Sequence, residues 1–295
     1  FGSGKIREIN RGFSMKVSVI IPTYNEEKVI RDCLESLGKQ TFEQSSHLRT
    51  KDLEVIVVDD GSTDKTREMV SGVKLFTQSH KGPGEARNLG AKEAKGEILV
   101  FVDADMTFDK DFIKNLVQPI IDEKSKGTFS KDEIVSNWDN VWARCWNINQ
   151  GWMERERHPK NYPNTQKVFR AILKNEFIKV KGFSKGGFYT DDWTLSQKLG
   201  YEATLSDGAK FYHENPYNLV EVFKQARWAA KRPYKLGMFG FVVGLVRNSL
   251  PASILVGLIK SIIHATSQFF IFKIVYDIGS FIGILEYIFF GKGAK

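Results

Sequence analysis

The sequence predicts an α/β protein in which a doubly wound, mostly parallel sheet is followed by a helical, membrane-associated tail. Three observations carry that expectation. Short β-branched runs alternate with polar turns and helical stretches over roughly the first hundred residues, the pattern of a sheet layered between helices. Three of those runs stop abruptly at acidic or amide side chains, and from Leu236 the composition turns strongly apolar.

In chain order, residues 1–15 are read as an added, disordered start, with the native sequence opening at Met15. The first strand unit is Val17-Ser-Val-Ile-Ile-Pro-Thr-Tyr-Asn-Glu-Glu27 and the second is Leu53-Glu-Val-Ile-Val-Val-Asp-Asp-Gly-Ser-Thr-Asp64. Each places hydrogen-bond acceptors at a strand end, where ligands of parallel sheets collect. Lys81-Gly-Pro-Gly-Glu-Ala-Arg-Asn-Leu-Gly90 follows, with glycines that permit close backbone approach and two cationic donors, Lys81 and Arg87. A helix is expected from there through Ala94.

The third unit, Ile98-Leu-Val-Phe-Val-Asp-Ala-Asp-Met106, is the most informative. Its apolar run suits a strand buried on both faces. Asp103 and Asp105 lie two apart, so an extended segment points both one way. A bend there lets them share a hard cation whose remaining positions are open to phosphate oxygens. A turn or helix cap is the competing reading of such a pair.

The order Pro-Thr-Tyr-Asn-Glu, Asp-Asp-Gly-Ser, Gly-x-Ala-Arg-Asn-x-Gly and Asp-x-Asp resembles glycosyltransferase family 2, of the GT-A fold. The resemblance covers roughly residues 16 to 235. It implies an inverting transfer of a sugar from a nucleotide diphosphate donor, GDP-mannose or a UDP-sugar, to an acceptor hydroxyl or phosphate. It places Pro22, Tyr24, Glu26 and Asp60 around the base and ribose, with Asp59 in support. Lys81, Arg87 and Asn88 would face the ribose, phosphates or sugar. Asp103, with Ala104 beside it, would hold the donor sugar, and Asp105 would hold Mg or Mn, as oxygen ligands suggest.

Further along, Lys185-Gly-Gly-Phe-Tyr-Thr-Asp-Asp-Trp193 looks like the family's acceptor-side segment. By that resemblance Asp192 is the expected general base, with Asp191 as runner-up and a helix cap as the alternative for either. In Phe211-Tyr-His-Glu-Asn-Pro216, His213 follows a short strand and would complete the metal site. Lys224-Gln-Ala-Arg-Trp228 resembles the Gln-x-x-Arg-Trp signature of processive members, but Lys224 stands at the Gln position, which argues against processive polymerisation. Arg227 is expected at the diphosphate and Trp228 along the acceptor path. Trp138, Trp142 and Trp146 fall on one helical stripe, read as core packed against the sheet or as an aromatic wall for a sugar or lipid.

The net charge of +8 is concentrated in Lys224, Arg227, Lys231, Arg232 and Lys235, just ahead of the apolar tail, which suggests anionic headgroups. No nucleic-acid module is visible, so no nucleic-acid partner is expected. The expected organisation is a catalytic domain at 16–220, a basic amphipathic interfacial helix at 221–235 and membrane-embedded helices at 236–295. The tail is interrupted by Arg247, Lys260, Lys273, Asp277 and Glu286; Lys273 and Asp277 are spaced to pair on one helix face. Without a visible secretory signal, the catalytic domain is expected on the cytoplasmic side of a membrane, and Cys33 and Cys145 are expected as reduced thiols.

The expected activity is therefore metal-dependent sugar transfer to a lipid-linked acceptor, glycolipid or glycan hydroxyl. The amino-terminal half and tail also resemble dolichol-phosphate mannose synthases, which use a polyprenyl phosphate. A non-catalytic nucleotide-sugar-binding membrane protein and a nucleotidyltransferase are the readings from other classes. The latter wants a glycine-rich, lysine-bearing loop at the first strand, where this chain has Pro22-Thr-Tyr-Asn-Glu26.

Overall fold

The computed structural model describes residues 15–41, 52–184 and 191–291, without the side chains of Asp191 and Asp192. Strands β1 (Val17–Thr23), β2 (Leu53–Asp59), β3 (Lys74–Thr77) and β4 (Ile98–Phe101) pair in the order β3-β2-β1-β4, all parallel. Helices α1 (Ile30–Gly38), α2 (Thr66–Met69) and α3 (Pro83–Glu93) connect them. Alternate residues of the same strands feed two cores. Val17, Val19, Ile21, Ile98 and Val100 pack under α1 and α4 (Phe112–Ile121), while Ile20, Ile56, Val58 and Leu99 pack under α3. This double coverage is why the strands read as unbroken apolar runs. Gly90 lets α3 lie close: a Cβ there would meet Ile20 Cγ2 at 2.5 Å.

Beyond β4 the parallel pattern breaks. A short strand β5 (Met106–Phe108) leaves the main sheet, and β6 (Gly127–Phe129), β7 (Glu133–Val135), β8 (Thr165–Gln166), β9 (Ala171–Leu173), β10 (Ala203–Leu205) and β11 (Phe211–His213) follow. The main sheet continues β4-β9-β6-β10-β8, with β9 antiparallel to both of its neighbours. A separate three-stranded sheet has the order β5-β11-β7. Its register sets His213 opposite Met106, one residue beyond Asp105, and Phe211 opposite Glu133.

The remaining helices are α5 (Val141–Gln150), α6 (Lys174–Lys179), α7 (Asp191–Leu199), α8 (Leu219–Ala230), α9 (Gly237–Arg247), α10 (Leu250–Ile263) and α11 (Gln268–Phe290). The tryptophan stripe differs from expectation in two ways. Trp138 precedes the helix, whose start is fixed by the Asn140 side chain accepting from the Trp142 and Ala143 amides. Trp146 packs edge-on against Phe272 and Tyr276 of α11, not against the sheet. The basic helix is also shorter than expected. It ends at Ala230, just before Pro233, a residue that disfavours helix in the position preceding it.

Among the described residues, Gln268–Phe290 is the one single helix long and apolar enough to cross a membrane. Cys33 and Cys145 are free and buried, and burial pushes the Cys145 thiol up to about 12.

Candidate active site

The ends of β1, β2 and β4 converge, and hydrogen bonds lace the first two loops together. The Asn25 amide donates to Ser62 Oγ at 2.9 Å while the Thr63 amide donates to Asn25 Oδ1 at 2.8 Å; the Glu26 amide donates to Thr66 Oγ1 at 2.7 Å. Pro22 is buried in β1 beside Val58, and Tyr24 emerges exposed just beyond. The Tyr24 ring stacks on His80, with centroids 4.0 Å apart and 25° between planes.

Asp59, the last residue of β2, and Asp60 just after it organise backbone. Asp59, buried, accepts from the Ser62 amide at 3.2 Å. Asp60, also buried, accepts from the Lys81 and Gly82 amides at 2.8 Å each and from Gln78 Nε2 at 2.6 Å. His80 Nδ1 lies 2.9 Å from Asp60 Oδ2. Asp60 thus shapes the 78–82 loop and orients the ring that stacks on Tyr24, while Lys81 stays exposed.

After β4, Asp103 is clamped by two arginines: Arg87 Nη2 at 2.7 Å and Arg170 Nη1 at 3.1 Å. Arg87 is buried on α3, its guanidinium over the Phe183 ring, and Arg170 lies over Phe211. Burial alone would raise the Asp103 carboxyl, but the Arg170 and Arg87 charges outweigh it and hold the group far below the usual carboxylate range. Ala104, the next residue, is buried in the core under α1. Asn88 ties α3 to the approach to α7, donating to the Phe183 carbonyl and accepting from its amide.

Asp105 projects outward, and its Oδ2 lies 2.9 Å from His213 Nε2. The other ring nitrogen, Nδ1, lies 3.0 Å from Glu133 Oε1, and Glu133 in turn meets Arg157 Nε at 3.2 Å. Burial and the Arg157 charge oppose protonation of His213, yet its hydrogen bonds to Asp105 and Glu133 raise its pKa. Burial works against the Glu133 carboxylate, but the His213 hydrogen bond and the Arg157 charge lower its pKa. Glu26 is pushed up to about 7, first by burial and then by the charges of Asp105 and Asp103.

Sequence reasoning missed His80, Glu133, Arg157 and Arg170. Each reaches the site through strand pairing or loop closure and belongs to none of the spaced motifs. Two further expected members, Arg227 and Trp228, lie on α8. Arg227 Nε donates to Glu286 Oε2 of α11 at 3.0 Å, and Lys231 Nζ meets the same carboxylate at 2.7 Å. This pairing ties α8 to α11 and commits the guanidinium expected at a diphosphate. Trp228 is exposed on α8. The backbone of Asp191 and Asp192 opens α7, while their side chains and residues 185–190 lie outside the described residues.

The chain resembles known proteins in sequence and in fold. The Glycosyl transferase family 2 model matches residues 18–188. Poly(ribitol-phosphate) beta-N-acetylglucosaminyltransferase TarS of Staphylococcus aureus is 41% identical over 109 residues, 34% of this chain but only 18% of TarS. A GalNAc(5)-diNAcBac-PP-undecaprenol beta-1,3-glucosyltransferase of Campylobacter jejuni is 24% identical over 246 residues, 75% of this chain and 70% of that protein. In fold, the crystal structure of TarS 1–349 in complex with UDP-GlcNAc aligns with a TM-score of 0.54 at 24% identity, over 73% of this chain and 66% of that one. The mannosyltransferase PcManGT of Pyrobaculum calidifontis, in complex with GDP-Man and Mn2+, aligns with a TM-score of 0.54 at 18% identity, over 91% and 87%. With its strand-end carboxylates set on a GT-A sheet and the family model matched over most of the sheet-forming region, the chain belongs to glycosyltransferase family 2.

Proposed function

We propose that this glycosyltransferase catalyses inverting, metal-dependent transfer of a hexose-type sugar from a nucleotide diphosphate to a hydroxyl of a lipid-linked glycan or glycolipid. The observation that carries the reading is the row Asp105–His213–Glu133 beside the arginine-clamped Asp103.

The donor set fits a divalent cation. Asp105 and His213 supply one oxygen and one nitrogen, and Glu133 on the far ring nitrogen fixes the imidazole orientation as an outer partner of a ligating histidine does. Among the described residues no cluster of three or more ligating side chains holds a metal alone. The protein would then contribute two ligands, and oxygens of a diphosphate would complete the shell, as Mg or Mn prefers. When bound, the ion would neutralise charge on the leaving diphosphate.

The residues of the chain divide the remaining work. The Tyr24–His80 stack offers an aromatic face to a base. Asp103, kept ionised by Arg87 and Arg170, presents a fixed acceptor to hydroxyls of the donor sugar. Asp192 takes the proton of the acceptor hydroxyl as its oxygen bonds to the anomeric carbon; the bond from that carbon to the diphosphate breaks and the nucleoside diphosphate leaves. A UDP-sugar is favoured as donor because TarS is crystallised with UDP-GlcNAc. A lipid-linked acceptor is favoured because the Campylobacter relative is named for an undecaprenol-linked substrate.

The test is calorimetric titration with UDP-GlcNAc, UDP-glucose and GDP-mannose, with Mn and with chelator, followed by assay of nucleoside diphosphate release on lipid-linked glycan and on polyprenyl phosphate. Metal-dependent binding of one donor with release driven by the glycan supports the proposal. Release driven only by polyprenyl phosphate replaces the acceptor, and no binding of any donor removes the enzymatic reading.

A further inference from the structure

The carboxy-terminal helices form one layer whose two sides are very different. On its inner side α11 lies parallel to α8: a Cβ at Gly279 would meet the Phe223 carbonyl at 2.6 Å, and Glu286, about two turns further along α11, pairs with Arg227 and Lys231. Nearer its start, α11 inserts Phe269 and Phe272 against Trp146 of α5 and Val222 of α8. Helix α10 runs back along α11. Ser253 Oγ donates to Asp277 Oδ2 at 2.7 Å, and Lys273 Nζ meets the other oxygen at 2.7 Å, so Lys273 and Asp277, two of the charges that interrupt the tail, neutralise each other inside the layer.

The outer side is apolar and exposed, notably Phe239, Val242 and Val246 on α9 and Leu255, Ile259 and Ile262 on α10. Between Glu221 and Asp277 the sequence has no acidic residue and eight lysines and arginines. Of these, Lys224, Arg232, Lys235 and Arg247 are exposed. An apolar face rimmed by one sign of charge matches a bilayer with anionic headgroups.

The geometry also decides how deep the layer goes. Helices α9 and α10 have 11 and 14 residues, or roughly 16 and 21 Å at 1.5 Å per residue, against a hydrocarbon core of about 30 Å. Taken together they are long and apolar enough for one broken span, but they meet at a bend of 58°, the shape of a segment that enters and turns back. Helix α11 has 23 residues and the length to cross, but 44% of its apolar window is buried inside the protein. Standing it across a bilayer would carry the parallel α8 along, with exposed Lys224 and Gln225 entering hydrocarbon.

We infer that α9, α10 and the outer edge of α11 form a non-crossing wedge that enters only the near leaflet of an anionic membrane, with the exposed basic residues at the headgroups. The inference rests on the lipid-linked acceptor proposed above: α8, on which the wedge is seated, follows β11 and its His213 after residues 214–218, so a short connection separates site and wedge.

The experiment uses the full chain in two arms. In the first, purified protein is floated with phosphatidylcholine vesicles with and without phosphatidylglycerol; Ile259→Asp and the pair Arg232→Glu, Lys235→Glu are compared with the unaltered protein. Capture by the anionic vesicles, reduced at least tenfold in both variants while donor binding in detergent persists, is the expected result. No capture, or a stable dimer whose assembly Ile259→Asp abolishes, overturns the wedge. In the second arm, Ala265→Cys and Gly291→Cys are labelled with an impermeant maleimide in sealed inverted membrane vesicles. Labelling of both from the side of the catalytic domain is expected, and protection of either shows a crossing helix and overturns the inference. Donor titration in detergent is independent of both arms, so failure of the wedge and failure of the transferase reading are told apart.

Discussion

His213 Nε2 lies 2.9 Å from Asp105 Oδ2 although 108 residues separate them, because β11 pairs antiparallel with β5, the strand that Asp105 opens. The pair is held from behind by Glu133 on β7, the third strand of the same small sheet. A histidine between two carboxylates has a fixed ring orientation, and its consequences can be measured.

Asp105→Ala is expected to weaken donor binding in Mn by roughly two orders of magnitude, leaving the weak binding seen with chelator unchanged. Calorimetry of the variant with and without Mn reads this directly. Equal affinity in Mn for variant and unaltered protein would remove Asp105 from the metal site.

Glu133→Gln keeps the size of the side chain but removes the charge that orients His213. Metal affinity should fall roughly 10–100-fold, with the thermal transition of the metal-free protein changing far less. A Mn titration followed by donor binding separates this from a general loss of folding.

Asp192→Asn is expected to spare donor binding and lower transfer by roughly 10²–10⁴. Single-turnover assay with a hydroxyl acceptor tests it; retained transfer would direct attention to Asp191 or to an acceptor that is already a phosphate.

Glu26 gives a pH dependence of stability. Its pKa is raised to about 7 from a reference of 4.5, so the folded state binds the extra proton between those values. The stabilising contribution is present at and below pH 4.5 and is lost as pH rises through 7. In chelator, Glu26→Gln should therefore match the unaltered protein near pH 5 and be more stable at pH 8, by roughly 2 kcal/mol after allowance for partial exposure. Chemical denaturation at the two pH values checks it; an equal difference at both would show that the carboxyl does not titrate in this window.

Gly279→Val places a branched side chain where α8 backbone already lies, with a Cβ 2.6 Å from the Phe223 carbonyl. A loss of about 1–3 kcal/mol is expected from such overpacking, read as a lower midpoint in thermal unfolding in detergent. Gly291→Ala, where nothing lies within 4 Å of a Cβ, controls for added volume, although the positive φ at Gly291 adds its own small strain.

The sequence by itself determined the parallel half of the sheet and the strand-end carboxylates, because both are local. The apolar run Ile98 to Val102, with its β-branched members, reads as a doubly buried strand, and the acidic residues that follow it emerge just beyond the end of β4 at Phe101. The same locality made His213 legible at the end of a short strand, of which it is the last residue, and the tail legible as apolar. Only the tertiary structure decided which side chains meet. Arg170 reaches Asp103 because β9 runs antiparallel beside β4, and Glu133 reaches His213 because β7 joins a sheet that no spacing announces. Packing also redirected Arg227 to Glu286 and Trp146 to Phe272, contacts made when α11 settles on α8 and α5. Periodicity specifies which face of a helix is apolar, while the partner of that face is chosen by long-range packing that no window of the sequence contains.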